Sequence, residues 1–371
     1  MMLLIPGPVT TDARVRAAAA VDYAPWDHDF RTLLARVRER VLTLAGGRPG
    51  EHACLPLPGC GHFAMEAAVR TFVPAGGRLL VPITGQYAER LVRLATEAGR
   101  VAVPMPVPAD ERVSAEAVEQ ALLADPSISH LGCVYSETSS GIVHDVPALA
   151  AAAGRAGRRV IVDAVSALGA MPFDIGALPA VDSVSFTSNK CVEALPGSSF
   201  TIASVERLLA RAGQAGSWSF DFAELYQHGL TYGWGSHRFT PAAGVIASMD
   251  VALDLMDAEG GQPARLARYT ANMQAVVEGA ERIGLRACLG PALQGPIVVN
   301  IEAPAHPEWD LQRFVDGLKG HGFVISNFYN TLAPSIRVGC IGAVTPDDMR
   351  RFVGAMESVM GDMGVGVLRA A

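Results

Sequence analysis

No stretch of this chain holds 18 apolar residues in a row, so no membrane-spanning helix is expected. Aromatic residues are scarce, 6% of a chain that is 50% hydrophobic, which leaves Ala, Val and Leu to build the core. The six cysteines (Cys54, Cys60, Cys133, Cys191, Cys288, Cys340) are scattered without a C-x-x-C spacing. Neither a disulfide framework nor a metal site is therefore indicated. Positive charge is also in short supply. A formal net charge of −7 gives no reason to expect nucleic acid or an anionic membrane as a partner. The segment Met1-Met2-Leu3-Leu4-Ile5-Pro6 lacks a charged leader region and breaks at Pro6, so it does not read as a signal peptide. A cytoplasmic protein is expected.

What is present is alternation. At 371 residues the chain exceeds one ordinary domain, and a large domain with a smaller partner is the natural expectation. Pro6-Gly7-Pro8 reads as an irregular arm. Phe30, Leu33, Leu34, Val37, Val41 and Leu44 then follow helical spacing up to Gly46-Gly47. From Ala53 onward, short β-branched or apolar runs alternate with helical patterns as far as Ala212. That pattern predicts a mainly parallel sheet covered on both faces. Residues 213–240 gather Trp218, Phe220, Phe222, Tyr226, Tyr232 and Trp234 and read as an irregular excursion outside the core. Two long helices lead to a shorter α+β pattern. The expected division is a large domain over 14–257 and a small one over 258–371, joined by the arm 1–13.

Between Val160 and Gly197 two strand-like runs each deliver a charged residue. Val160-Ile161-Val162-Asp163 ends on an Asp, and Asp182-Ser183-Val184-Ser185-Phe186 leads to Lys190. Open α/β sheets bind ligands at the carboxyl ends of their strands. A Lys and an Asp in one crevice suit pyridoxal phosphate, whose aldehyde takes an amine and whose ring nitrogen wants a carboxylate. A buried Asp–Lys ion pair without catalytic use is the competing reading. Upstream, Pro58-Gly59-Cys60-Gly61-His62 joins a strand to a helix start, where free backbone N–H groups make an anion cradle.

Several segments in one order carry a resemblance. They are Pro6-Gly7-Pro8, Trp26-Asp27-His28-Asp29-Phe30, Gly59-Cys60-Gly61, Gly85-Gln86-Tyr87-Ala88-Glu89-Arg90 and Ser136-Glu137-Thr138-Ser139-Ser140-Gly141. Val162-Asp163-Ala164-Val165-Ser166, Ser188-Asn189-Lys190-Cys191, Arg238-Phe239-Thr240-Pro241 and Ile336-Arg337-Val338-Gly339 complete the set. In these the chain resembles the class V, fold-type I pyridoxal-phosphate aminotransferases, and within them the subgroup acting on 2-aminoethylphosphonate and pyruvate. The resemblance implies a seven-stranded, mainly parallel sheet in the large domain and a small α+β domain. It implies that Lys190 holds the cofactor as a Schiff base and later moves protons, and that Asp163 pairs with the ring nitrogen. Tyr87 would stack on the ring, with ordinary core packing as the alternative, and Glu137, Thr138 and Ser166 would lie near its edge. The phosphate would rest on Gly59, Cys60, Gly61 and His62 with Ser188. Thr240, from the neighbouring subunit of a homodimer, would complete that cradle. Arg337 would grip the substrate acid group, with Gly7, His237 and Arg238 close to it. An amino donor and a 2-oxo acid acceptor are the implied partners.

The chain departs from that subgroup in places. Cys60 and His62 stand where Ser or Thr is usual, and His62 either donates to phosphate or packs at the helix start. Gly235-Ser236-His237-Arg238 replaces a Gly-Lys-Trp-Arg run, and Asn327-Phe328-Tyr329-Asn330 replaces a Pro-Gly-Lys segment. Two basic groups are thereby missing where a phosphonate dianion would want them. An alanine- or serine-glyoxylate type of aminotransferase is the alternative expectation.

Overall fold

The structure is a computed structural model that describes residues 1–329, 331 and 333–365. Asn330 and the end of the expected small domain lie outside the described residues. Among those described, the strands are β1 (Met2–Leu3), β2 (His52–Pro58), β3 (Arg78–Ile83), β4 (Val101–Pro106), β5 (Ile128–Val134) and β6 (Arg159–Asp163). They continue with β7 (Val181–Thr187), β8 (Ser198–Ser204), β9 (Val298–Glu302), β10 (Phe323–Val324) and β11 (Ser335–Gly339).

Seven of these form one sheet in the order β2-β8-β7-β6-β5-β3-β4. Neighbours from β7 through β4 are parallel, whereas β8 runs antiparallel to both β2 and β7. The short return from β7 to β8 explains this exception, since a parallel pair needs a crossover of a dozen residues or more. Every residue of β7 is buried, as expected for a strand covered on both faces.

The period of two along β6 decides what each face receives. Val160 and Val162 enter a core shared with helices His28–Leu44 and Val146–Arg155. Ile161 enters the opposite core, shared with helices Gly61–Phe72 and Gln86–Glu97. Asp163, two residues after Ile161, falls on the side of those last two helices.

The excursion expected over 213–240 is corrected in its middle. Helix Phe222–Tyr232 forms there, with Asp221 as a cap that accepts from Glu224 N–H at 3.1 Å. Its Phe222, Leu225 and Tyr226 are buried in the core around Gly61–Phe72, at the i, i+3, i+4 spacing of an amphipathic helix. Trp218, Tyr232 and Trp234 remain exposed. The high aromatic content therefore serves both core and surface.

A separate apolar cluster gathers Phe314, Leu318, Ile336, Val338, Phe352 and Met356. It is built from the antiparallel pair β9–β11 and from helices Gly261–Arg282, Leu311–Gly320 and Pro346–Asp362. Thr345 and Asp348 close the last helix with a reciprocal capping box. The expected arm is partly regular, because β1 pairs in parallel with β10. Asn300 of β9 ties this cluster to the large sheet, its Nδ2 donating at 2.9 Å to the carbonyls of Ser139 and of Ser140.

Candidate active site

The carboxyl ends of β3, β5, β6 and β7 meet at one rim. A cavity of about 170 Å³ lies there, lined by Cys60, Gly61, His62, Tyr87, Arg90, Asp163, Thr187, Asn189 and Lys190, with the apolar Met65, Leu91, Leu94 and Val165. Six residues singled out from the sequence thus share one space.

Lys190 is only 9% exposed. Burial pushes its amine down to about 8; the Arg337 and Arg90 charges act in the same direction, against Cys191 and Asp163. The amine therefore gives up its proton far more readily than an exposed lysine, and is mainly neutral above about pH 8. Asp163 accepts from Val165 N–H at 2.9 Å. Burial still pushes its carboxyl up to about 6, because that one bond and the Lys190 charge do not offset desolvation. Asp182 gives the contrast. It too is buried, yet its acid is held below the ordinary range. His130, Arg159 and Arg207 surround it, and their bonds and charges outweigh burial. Asp182 is a carboxylate already satisfied by its neighbours; Asp163 is one that a further cation would stabilise.

The other expected residues divide by position. Tyr87 opens the helix Gln86–Glu97 beside the cavity, and the Arg90 guanidinium carbon sits 4.8 Å from its ring centroid. Glu137 is buried behind it. Its carboxylate accepts from Ser139 N–H at 3.1 Å, from Ser139 Oγ at 2.5 Å and from Thr84 Oγ1 at 3.3 Å. Burial raises its acid against these bonds and those of the Tyr87 and Ala88 amides. Gly85 makes room for this turn: a Cβ there would lie 2.3 Å from Ser139 Oγ. Thr138 Oγ1 donates to Ser166 Oγ at 3.0 Å, which donates to Ser136 O at 2.9 Å, so this pair fixes the rim loops to each other. Ser188 turns its hydroxyl to the carbonyls of Leu195 and Ser198, 2.6 and 3.0 Å away; its neighbours Thr187 and Asn189 line the cavity. Gly59 takes φ +116°, and a Cβ on it would strike Phe63 at 2.3 Å.

Gly7 brings the arm against Lys190, where a Cβ would lie 2.5 Å from Cδ and 2.9 Å from Nζ. Arg337, on β11, is buried, and its Nε and Nη2 donate to Ser326 Oγ at 3.2 and 3.0 Å. Within this chain His237, Arg238 and Thr240 are not among the residues around Lys190. Arg238 donates to Asp221 O and Trp218 O and lies over the Trp218 and Phe239 rings. His237 packs on Trp26, ring centroids 4.5 Å apart, and Thr240 is exposed.

Arg90 was not singled out as a site residue in the sequence. The available signal was its place three residues after Tyr87, one turn along the same helix face.

Pyridoxal phosphate suits this donor set. The helix Gly61–Phe72 begins at Cys60 without a side-chain cap, which leaves its amide end to an anion. A Cβ on Gly61 would meet Val165 at 2.4 Å, so the backbone itself forms that wall. Among the described residues no cation forms an ion pair with the buried Asp163, and Lys190 offers a depressed amine.

Comparison with known proteins agrees with this chemistry. The family described as Aminotransferase class-V matches residues 26–322. A 2-aminoethylphosphonate–pyruvate transaminase of Pseudomonas fluorescens is 40% identical over 364 residues, covering 98% of each chain. Another from Burkholderia lata, bearing the same name with the number 1, is 38% identical over 369 residues, covering 100% of this chain and 99% of its own. Among solved structures, ureidoglycine-glyoxylate aminotransferase from Bacillus subtilis superposes with a TM-score of 0.89 at 21% identity, covering 99% of this chain and 95% of its own. Pyridoxamine-pyruvate aminotransferase from Mesorhizobium loti gives 0.88 at 23%, covering 99% and 94%. At such identities these two speak for the fold alone.

Proposed function

Because the chain belongs to the class V aminotransferases, pyridoxal-phosphate-dependent enzymes of fold type I, we propose that it moves the amino group of 2-aminoethylphosphonate to pyruvate. Phosphonoacetaldehyde and alanine are the products. The observation that carries this reading is a Lys–Asp pair in one cavity lined also by Arg90, with Arg337 near enough that both arginine charges act on Lys190. A phosphonate dianion wants more than one cation, and Arg90 and Arg337 are two whose charges reach Lys190. The names of the full-length relatives point to the same donor.

Bound, the cofactor supplies an electron sink for the carbon that loses its amine. Lys190 Nζ, whose proton burial weakens, would hold the cofactor through its aldehyde and, when released, move a proton at the substrate carbon. Asp163 holds the ring nitrogen in its protonated form. Tyr87 covers one ring face, and the Glu137 turn, with Thr138 and Ser166, fixes the rim against it. Gly59, Cys60, Gly61 and His62 receive the phosphate, with Ser188 bracing their neighbour turn from behind. Arg337, with Gly7 beside Lys190, orients the donor's acidic end. Thr240, His237 and Arg238 act in a homodimer, reaching the partner's site. Their distance from Lys190 within this chain and the exposed Trp26 and Trp218 near them support that arrangement. The large sheet with its two flanking cores and the separate β9–β11 cluster act as domains, 14–257 and 258–371 with arm 1–13, and six unpaired cysteines suit a cytoplasmic setting.

The test is a half-reaction. Candidate donors are added singly to holoenzyme while the cofactor absorbance is followed; conversion by 2-aminoethylphosphonate is expected. Conversion by alanine or serine alone would move the assignment to the glyoxylate-type enzymes. Light scattering tests the dimer, and a monomer that is fully active would remove the trans role of Thr240.

A further inference from the structure

Glu193 stands behind the Lys190 turn, outside the cavity. Among the described residues it is the non-glycine residue with positive φ, 66°. Such a conformation persists where surrounding contacts over-determine it. Those contacts are visible. Glu193 N–H donates to Lys190 O at 2.9 Å, and its Oε1 accepts from Tyr269 Oη at 2.5 Å and Arg268 Nη2 at 2.7 Å. Arg265 Nη1 donates to Cys191 O at 2.8 Å. Tyr269, Arg268 and Arg265 all belong to helix Gly261–Arg282.

The same side chains hold the segment that follows β11. Arg268 Nη1 donates to Gly342 O at 2.6 Å and Val344 O at 2.9 Å, and Gly342 N–H donates to Tyr269 Oη at 3.3 Å. Glu259 braces Arg265 and Arg268 from the other side, each at 2.7 Å. Two carboxylates thus face two guanidiniums, and the buried cluster is neutral. Directional bonds of this kind fix distances that apolar packing leaves adjustable.

We infer that Glu193, Tyr269 and Arg268 form a strut that sets the separation between Lys190 and Arg337 and thereby selects amino donors by chain length. The inference rests on the reading that Lys190 reacts with the donor's amine end while Arg337 holds its anionic end. Glu193 is a positioning residue in this scheme, since it bonds the Lys190 backbone and the helix behind it rather than either end of the donor.

The experiment compares wild-type, Tyr269→Phe and Glu193→Gln holoenzymes. Values of kcat and KM are measured for aminomethyl-, 2-aminoethyl- and 3-aminopropylphosphonate, and for the carboxylates glycine, β-alanine and 4-aminobutyrate. In both variants the preference of the best donor over the next longer one shrinks by about 5–10-fold, less in Glu193→Gln, which keeps an acceptor for Tyr269. Activity that falls equally at every length, or a wild-type length profile, overturns the strut. A wild type that prefers the carboxylates removes the phosphonate reading, and the strut is then judged on that series. A crystal structure of Tyr269→Phe holoenzyme needs no donor: a Lys190–Arg337 separation unchanged within about 0.5 Å also overturns it.

Discussion

Gly7 and Lys190 are in contact although roughly half the chain separates them, close enough that a Cβ on Gly7 would overlap Cδ, Cε and Nζ of the lysine at 2.5, 2.7 and 2.9 Å. The glycine also takes φ +146°, which side chains rarely adopt. Gly7→Ala is therefore expected to displace the amine. A displacement near 1 Å lowers kcat/KM by about 100-fold, and cofactor titration of the apoprotein should show weaker retention. An alanine variant with wild-type kinetics would mean that the arm yields and Lys190 does not.

Lys190→Ala should lose the cofactor's bound absorbance and about 10⁴-fold in kcat. The wild type carries a pH signature as well. A lysine that is neutral only above about 8 captures pyridoxal phosphate faster as pH rises, until a plateau beyond that value. Stopped-flow uptake by apoprotein measures this, and a rate falling from pH 6 to 8 would falsify the assignment.

Asp163→Asn should stabilise the cofactor-free protein while abolishing activity. The folded carboxyl titrates at about 6 and the unfolded one near 4, so the unfolded chain gives up its proton first. The native Asp is favoured only below its unfolded value, and its penalty grows between pH 4 and 6 and is constant above. About two pH units correspond to roughly 3 kcal/mol. Urea unfolding at pH 4 and pH 8 checks it: no gain at pH 8 contradicts an unpaired buried Asp163.

Arg90→Met should raise KM for an anionic donor by about 10–100-fold, the range of a hydrogen bond to a charged group, with Arg90→Lys between the two. Steady-state kinetics decides. An unchanged KM would leave Arg90 as a support for the Tyr87 ring, over which it lies.

The sequence was most informative where chemistry and periodicity coincide. Asp163 and Lys190 sit at strand ends whose β-branched runs are unmistakable, and the same alternation that makes β6 a strand also aims Asp163 toward the Gly61 and Tyr87 helices. Helix Phe222–Tyr232 was hidden because Gly, Ser and surface aromatics flank it, although Phe222, Leu225 and Tyr226 carry helical spacing. Arg90 escapes a sequence reading because an arginine on a helix is usually solvated; it is exposed in the fold as well, and only the third dimension sets it at the cavity. The bonds of Ser188 to Leu195 and Ser198 depend on how the loop folds back, which no local pattern encodes.

The pairing of Met2 with Phe323 and of Leu3 with Val324 has a consequence in time. During synthesis at 5–20 residues per second, residues 2 and 3 wait roughly 15–60 s for their partner strand. Gly7 follows directly behind them, so the wall against Lys190 closes among the last events of assembly. A nascent chain can complete its large sheet well before it owns a finished cofactor site, and acquisition of colour should mark the end of folding.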